Sequence, residues 1–151
     1  MNRKQNICFI INPISGIGRQ KTVERLIADF LDTTAFRHTI AYTQAPKHAT
    51  ELAKHAASKG FDIVVAVGGD GSVNEVARGL IGSNTAMAIL PAGSGNGLAR
   101  HLNIPVTLKK ALLLLQKGTQ KKIDTIQFND EQFVNVAGVG FDAHIGWEFS
   151  K

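Results

Sequence analysis

Three stretches of this chain are apolar almost without interruption: 6–12 (NICFIIN), 62–67 (DIVVAV) and 86–90 (AMAIL). A strand with one face in water alternates apolar and polar residues, so a short continuous apolar run signals a strand covered on both faces, as in a parallel sheet. Each run stops abruptly, the first at Asn12-Pro13, the second at Gly68-Gly69-Asp70-Gly71, and the third at Pro91 and a second glycine-rich turn. Between the runs the period becomes helical. Val23, Leu26, Ile27, Phe30 and Leu31 fall at i, i+3, i+4, i+7 and i+8, with Glu24, Arg25 and Asp29 facing away. A further strand over Arg37 to Thr43 leads to a helix with Pro46 near its first turn and Ala49, Leu52, Ala53 and Ala56 on one side. Val73, Val76, Ala77 and Leu80 mark the next helix, and Leu108 to Lys117 another, closed by a lysine and a Gly118 cap. Alternation of strand and helix predicts an α/β fold, an open parallel sheet with helices on both faces. Lys122 to Asn129 and Gln132 to Val136 read as a hairpin around Asn129-Asp130. The segment 138–151 is glycine-rich, then polar, and completes no element, which suits a chain cut at a domain junction.

The 151 residues suffice for one domain that buries roughly 68–70% of its unfolded surface, with no metal or disulfide staple required. With 44% hydrophobic and 19% charged residues, disorder, collagen and coiled coil are excluded. The longest aliphatic run, Ala111 to Leu115, falls far short of the ~20 residues that span a bilayer, and Ile7 to Ile11 is too short for a signal core. A cytoplasmic protein, peripheral at most to a membrane, is the expectation. The single cysteine, Cys8, sits among Ile7, Phe9 and Ile10 and reads as a buried strand residue. Seventeen Lys and Arg against 12 Asp and Glu give +5, which favours nucleotides, anionic membrane surfaces or nucleic acid as partners. Part of the excess is local, at Lys109, Lys110, Lys117, Lys121 and Lys122. No aromatic residues interleave them to stack bases, so no nucleic-acid interface is expected. A solvated helix face is their first reading and membrane contact the second.

In an open α/β sheet, ligands bind at the carboxyl ends of the strands. Here those ends carry Asn12-Pro13-Ile14-Ser15-Gly16, Thr43, Gly68 to Ser72, and Pro91 to Asn96. Glycine and small hydroxyl residues let backbone N–H groups approach an anion, and a following helix adds its positive end, so phosphate is the natural ligand. Neither a Walker A nor a GxGxxG pattern is present. Ser72 and Glu75 have capping-box spacing, which accounts for both without function. Asp70, a carboxylate flanked by three glycines at a strand end, has no such structural reason. Gly93, Gly95 and Gly97 read either as a plain flexible loop or as part of the cradle. Strand alternation puts Asp124 on one inward face with Ile126 and Phe128, where a carboxylate needs a metal, an arginine or several N–H donors; a register shift of one residue reverses that face. The five histidines lack zinc-ligand spacing, and no Gly-x-Ser-x-Gly elbow occurs.

Asn12-Pro13 with Ser15-Gly16, GGDGSVNEV at 68–76 and PAGSGNGLAR at 91–100 together resemble the catalytic domain of diacylglycerol kinases and their relatives, the bacterial lipid kinases and the sphingosine and ceramide kinases. The GGDG element alone is shared with NAD kinases and phosphofructokinases; the three motifs in order are far more specific. The likeness runs to about Asp142. It implies a Rossmann-like nucleotide-binding domain, with transfer of the γ-phosphoryl group of ATP to a lipid hydroxyl, assisted by Mg²⁺. Matched by position, Asn12, Pro13, Ser15 and Gly16 would line the nucleotide, Thr43 would contact it, and Gly68, Gly69, Asp70, Gly71, Ser72, Asn74 and Glu75 would form the main phosphate-binding turn. Gly93, Ser94, Gly95 and Asn96 would complete it, with Ser94 in place of a family threonine. Asp70 matches an aspartate that organises a metal in bacterial members and serves as a base in the sphingosine branch. The positive end of a helix favours a negative carboxylate, which suits holding Mg²⁺ better than taking a proton.

Bacterial lipid kinases carry Asn-Asp where this chain has Asn96-Gly97, so a magnesium network through Asp70 and Asp124 would lose a ligand, and the acceptor would shift toward a sphingoid base. Family members also continue into a β-rich second domain that builds the lipid pocket and supplies a proposed general base; that domain is absent from this sequence. Two other functions stay open: a kinase of a soluble acceptor such as NAD, and a stand-alone domain that binds a nucleotide or anionic surface without catalysis. Uncovered sheet edges also leave a homodimer open.

Overall fold

A computed structural model describes residues 3–14 and 19–134. Along the chain run β1 (Gln5–Ile11), α1 (Arg19–Phe30), β2 (Phe36–Tyr42), α2 (His48–Ser58), β3 (Ile63–Gly68), α3 (Asp70–Leu80) and β4 (Ala86–Pro91). The four strands form a parallel sheet in the order β2-β1-β3-β4. Each strand begins and ends within one residue of its sequence reading.

The continuous apolar runs are explained by two cores. Ile7, Phe9 and Ile11 of β1 and Ile63, Val65 and Val67 of β3 face α1 and α5 (Leu108–Lys117), meeting Val23, Ile27, Ala111 and Leu112. Cys8 and Ile10 with Val64 and Ala66 face the opposite layer, where α2, α3 and the short α4 (Gly97–His101) contribute Ala49, Ala53, Val73, Val76 and Leu98. Both faces of the two central strands are therefore dry, and each fully buried large side chain among them contributes about 1.5–3 kcal/mol. Burial pushes the Cys8 thiol up to about 11, as expected for a thiol kept from water. Gly118 does cap α5, but with extended backbone (φ −72°, ψ 157°) rather than the left-handed turn a glycine cap suggests.

The hairpin exists but is short: β5 (Ile126–Phe128) pairs antiparallel with β6 (Glu131–Phe133) around Asn129 at φ +52°. Asp124 lies before β5 and is exposed, so the expectation of a buried inward carboxylate fails. Its supposed face-mates Ile126 and Phe128 are 50% and 60% exposed. Alternation implies an inside only where a second layer covers the strand, and among the described residues none covers this one. Val136, the segment 138–151 and the end of the family likeness at Asp142 lie outside the described residues. Among the described residues no helix is long and apolar enough to cross a membrane.

Candidate functional site

The strand order decides where a ligand can enter. From β1 the chain passes through α1 to β2 on one side, and from β3 through α3 to β4 on the other, so the two connections diverge at the carboxyl ends of β1 and β3. That divergence opens a crevice at the topological switch point. Asn12, just past β1, spans it: its backbone N–H donates to the Val67 carbonyl (3.2 Å) and its side-chain Nδ2 to Ser72 Oγ (3.3 Å). Its Oδ1 accepts from the Ile14 N–H at 3.0 Å, which folds the turn back over the strand end. On the other flank of β1, the Thr43 N–H continues the ladder to the Ile11 carbonyl (3.0 Å), holding Thr43 half-buried on the same rim. Ser15 and Gly16 lie outside the described residues.

At the centre, α3 begins at Asp70 with Gly69 as its N-cap, and among the described residues no side chain caps it. The capping-box reading of Ser72 is therefore wrong: Ser72 lies inside the first turn and its hydroxyl faces Asn12. Glu75 likewise does not reach back along its own helix. Its Oε1 accepts from the Lys47 N–H (3.0 Å) and its Oε2 from the Ala49 N–H (3.2 Å), so it caps the start of the neighbouring α2. The Glu75 carbonyl also accepts from Thr50 Oγ1 at 2.9 Å. Asn74, expected in the phosphate-binding turn, has its Oδ1 engaged by the Val134 N–H at 3.2 Å.

The two glycine-rich turns pack backbone against backbone. A Cβ added to Gly93 would stand 2.5 Å from the Gly69 Cα, and one added to Gly69 would stand 3.3 Å from the Gly93 Cα. Asn96 locks the second turn. It is 7% exposed, adopts a left-handed conformation (φ 53°, ψ 44°), accepts from the Gly93 N–H through Oδ1 (3.1 Å) and donates to the Gly93 carbonyl through Nδ2 (2.7 Å). Asp70 joins the turns, because its Oδ1 accepts from the Gly97 N–H at 2.7 Å. Its Oδ2 lies 2.7 Å from where a Gly95 Cβ would be, so a larger residue at 95 would displace the carboxylate. Ser94 is exposed at the tip of the turn.

Two contributors escaped the sequence reading. Gly97 entered it as a loop or cradle glycine and as a missing aspartate, yet its backbone N–H is what holds Asp70; a backbone donor leaves no residue signature. Arg100 donates from Nε to the Gly95 carbonyl at 2.9 Å, and its position one turn past the glycine loop was the available signal. Asp124 is not brought into a metal site by the described residues, which contain no group of three His, Cys, Asp or Glu side chains able to hold an ion.

A cleft of about 570 Å³ lies at the opposite end of the sheet between Gly60, Asp62, Gly82 and Thr85. It is bounded by the carboxyl ends of α2 and α3 and by Asp62. The negative ends of two helices disfavour an anion there, so the rim at the switch point, at the positive start of α3, is the better candidate.

Fold and rim together define an open parallel α/β domain with an anion-receptive helix start at its switch point. The sequence matches the diacylglycerol kinase catalytic domain over residues 6–128, and the chain belongs to that family. It is 34% identical over 135 residues to a diacylglycerol kinase of Bacillus subtilis (strain 168), covering 87% of this chain and 45% of that one. It is 39% identical over 102 residues to the "Probable lipid kinase YegS-like" of Enterobacter sp. (strain 638), covering 64% of this chain and 34% of the relative. A solved structure of a diacylglycerol kinase from Bacillus anthracis str. Sterne superposes with a TM-score of 0.78 at 30% identity, covering 88% of this chain and 47% of that one. The chain thus spans about half the length of such relatives.

Proposed function

We propose that this chain is the ATP-binding half of an ATP-dependent lipid kinase, which moves the γ-phosphoryl group to the hydroxyl of a lipid such as a diacylglycerol or a sphingoid base. One observation carries the reading: among the described residues α3 opens onto the rim with no side-chain cap, and a Cβ at Gly71 would meet nothing within 4 Å. The N–H groups of the first turn have no partner within the helix, and the positive end of the helix adds field, so phosphate oxygens are the complement. In this proposal Asn12 and Thr43 flank the nucleotide, Ser72 bonds a phosphate, and Arg100 offers its remaining guanidinium donors to the phosphate chain. Membership of the family supports the choice of a lipid as acceptor, and in this proposal the acceptor pocket and general base lie in the part of the relatives' length that this chain does not span.

The residues at the rim fit a Mg²⁺ ion that arrives with ATP. Such an ion takes one or two carboxylates plus phosphate and water oxygens, and Asp70, pinned through Oδ1, keeps Oδ2 as the donor. When bound, the ion neutralises phosphate charge. Asp124, exposed on its own segment, is not needed for this set. Asp70 has the role of a metal holder, with the Gly97 N–H fixing its orientation.

Calorimetric titration of the chain with ATP, with and without Mg²⁺, tests the reading. Saturable binding that weakens without Mg²⁺ and in Asp70→Asn is expected; no binding in any condition overturns it. Transfer of labelled phosphate to diacylglycerol in detergent micelles, by this chain together with the other half of a relative, tests the acceptor against soluble alcohols.

A further inference from the structure

We infer that the outward face of α5 is a docking surface for an anionic lipid bilayer. Residues 102–123 hold five lysines and no Asp or Glu, which leaves 12 basic against 12 acidic residues in the rest of the chain. The whole formal charge of +5 therefore resides in this one segment. α5 buries Ala111 and Leu112 (2% and 0% exposed) against α1 and β4, and turns Lys109, Lys110, Leu113, Leu114 and Lys117 outward. Neighbours on a helix lie four residues apart, so Lys109, Leu113 and Lys117 form one row and Lys110 and Leu114 the row beside it.

Leu113 and Leu114 are 38% and 41% exposed, and Phe30 of α1, 36% exposed, extends the apolar strip, with the Lys109 ammonium 3.8 Å from its ring centroid. The outward faces of the other long helices are built differently. α1 sets Arg25 against Asp29 and α2 sets Glu51 against Lys54, whereas none of the α5 lysines enters an ion pair among the described residues. Leucines flanked by lysines that pair with no carboxylate among the described residues match the boundary of a bilayer: the leucines enter the edge of the acyl region while the long lysine stems keep their ammoniums among anionic headgroups. A protein covering this face would have to desolvate three unpaired ammoniums.

The purpose of this surface, bringing the nucleotide site to a lipid acceptor, rests on the lipid-kinase proposal; its chemistry does not. The test is co-sedimentation of the chain with vesicles of phosphatidylglycerol and phosphatidylcholine in equal parts, against phosphatidylcholine alone, without ATP or diacylglycerol. Binding to the anionic vesicles only is expected, and it weakens as salt rises. Each lysine near such a surface contributes about fivefold to partition, so Lys110→Gln with Lys117→Gln lowers it about 25-fold. Leu113→Ser with Leu114→Ser also lowers it, and Lys59→Gln on the opposite layer leaves it unchanged. All five positions are exposed, so the fold is kept. The proposal falls if the chain ignores anionic vesicles, if both double variants bind as the unaltered chain does, or if these variants abolish only self-association in sedimentation velocity, which would make the face a contact between copies. Vesicle docking by a chain that binds no ATP in any condition would sink the kinase reading alone; saturable ATP binding without vesicle docking would sink this one alone.

Discussion

Gly71→Ala separates what the fold needs from what a ligand needs. Gly71 is the second residue of α3, its φ is not positive, and a methyl group there meets no atom of the described residues within 4 Å. Alanine at a compatible helical position is better than glycine by about 0.5–1 kcal/mol, partly because the unfolded chain loses freedom. For a domain of this size that raises Tm by roughly 2–4 °C per kcal/mol. The same methyl stands in the space that a phosphate must enter to reach the first-turn N–H groups. Losing one charge-assisted hydrogen bond of about 1.5–3 kcal/mol weakens ATP binding roughly 10- to 100-fold. Gly93→Ala is the contrast: its Cβ would stand 2.5 Å from the Gly69 Cα, a backbone atom that cannot swing away. The two turns must part by about 1 Å, at a cost of about 1–3 kcal/mol, so stability and binding fall together. Chemical denaturation and ATP calorimetry on both variants read out the difference. A Gly71→Ala chain that is more stable and binds ATP with unchanged affinity would refute the placement of phosphate at α3.

Asp70→Asn keeps an oxygen for the Gly97 N–H, so circular dichroism and Tm should change little while Mg²⁺-dependent phosphoryl transfer is lost; retained transfer would remove Asp70 from the chemistry. Glu75→Ala uncaps α2, since both carboxylate oxygens serve its N–H groups, and should lower stability by about 1–2 kcal/mol with ATP affinity nearly unaltered, as urea unfolding beside calorimetry will show. The Cys8 thiol, raised by burial from 9.0 to about 11, holds its proton where the unfolded chain releases it. Its contribution to stability is therefore full below pH 9 and lost as pH climbs toward 11. At pH 8 native Cys8 should alkylate at least roughly a hundredfold more slowly than in urea, from thiolate fraction alone; equal rates would mean that the strand is not buried.

The sheet was legible because β1 and β3 are dry on both faces, so their apolar runs could belong only to central parallel strands. The rim was legible for a related reason: glycines cluster where two backbones touch, as Gly69 and Gly93 do. What escaped depends on tertiary partners. Ser72 and Glu75 have the spacing of a local cap, but Glu75 serves N–H groups 28 and 26 residues away, and no local pattern encodes that choice. Asp124 was given an inside that the exposed strand after it, β5, does not have. The α5 lysines, in contrast, were visible as a charge cluster, and only the structure showed that Leu113 and Leu114 share their face.

The central claim is that phosphate meets the start of α3 at the switch point. Amide chemical shifts recorded while Mg²⁺-ATP is added test it most directly. The account expects the largest changes at the backbone N–H groups of Gly71 and Ser72, with smaller ones at Asn12, Thr43 and Gly93. Changes concentrated at Gly60, Asp62 and Gly82, around the cleft at the other end of the sheet, would contradict it.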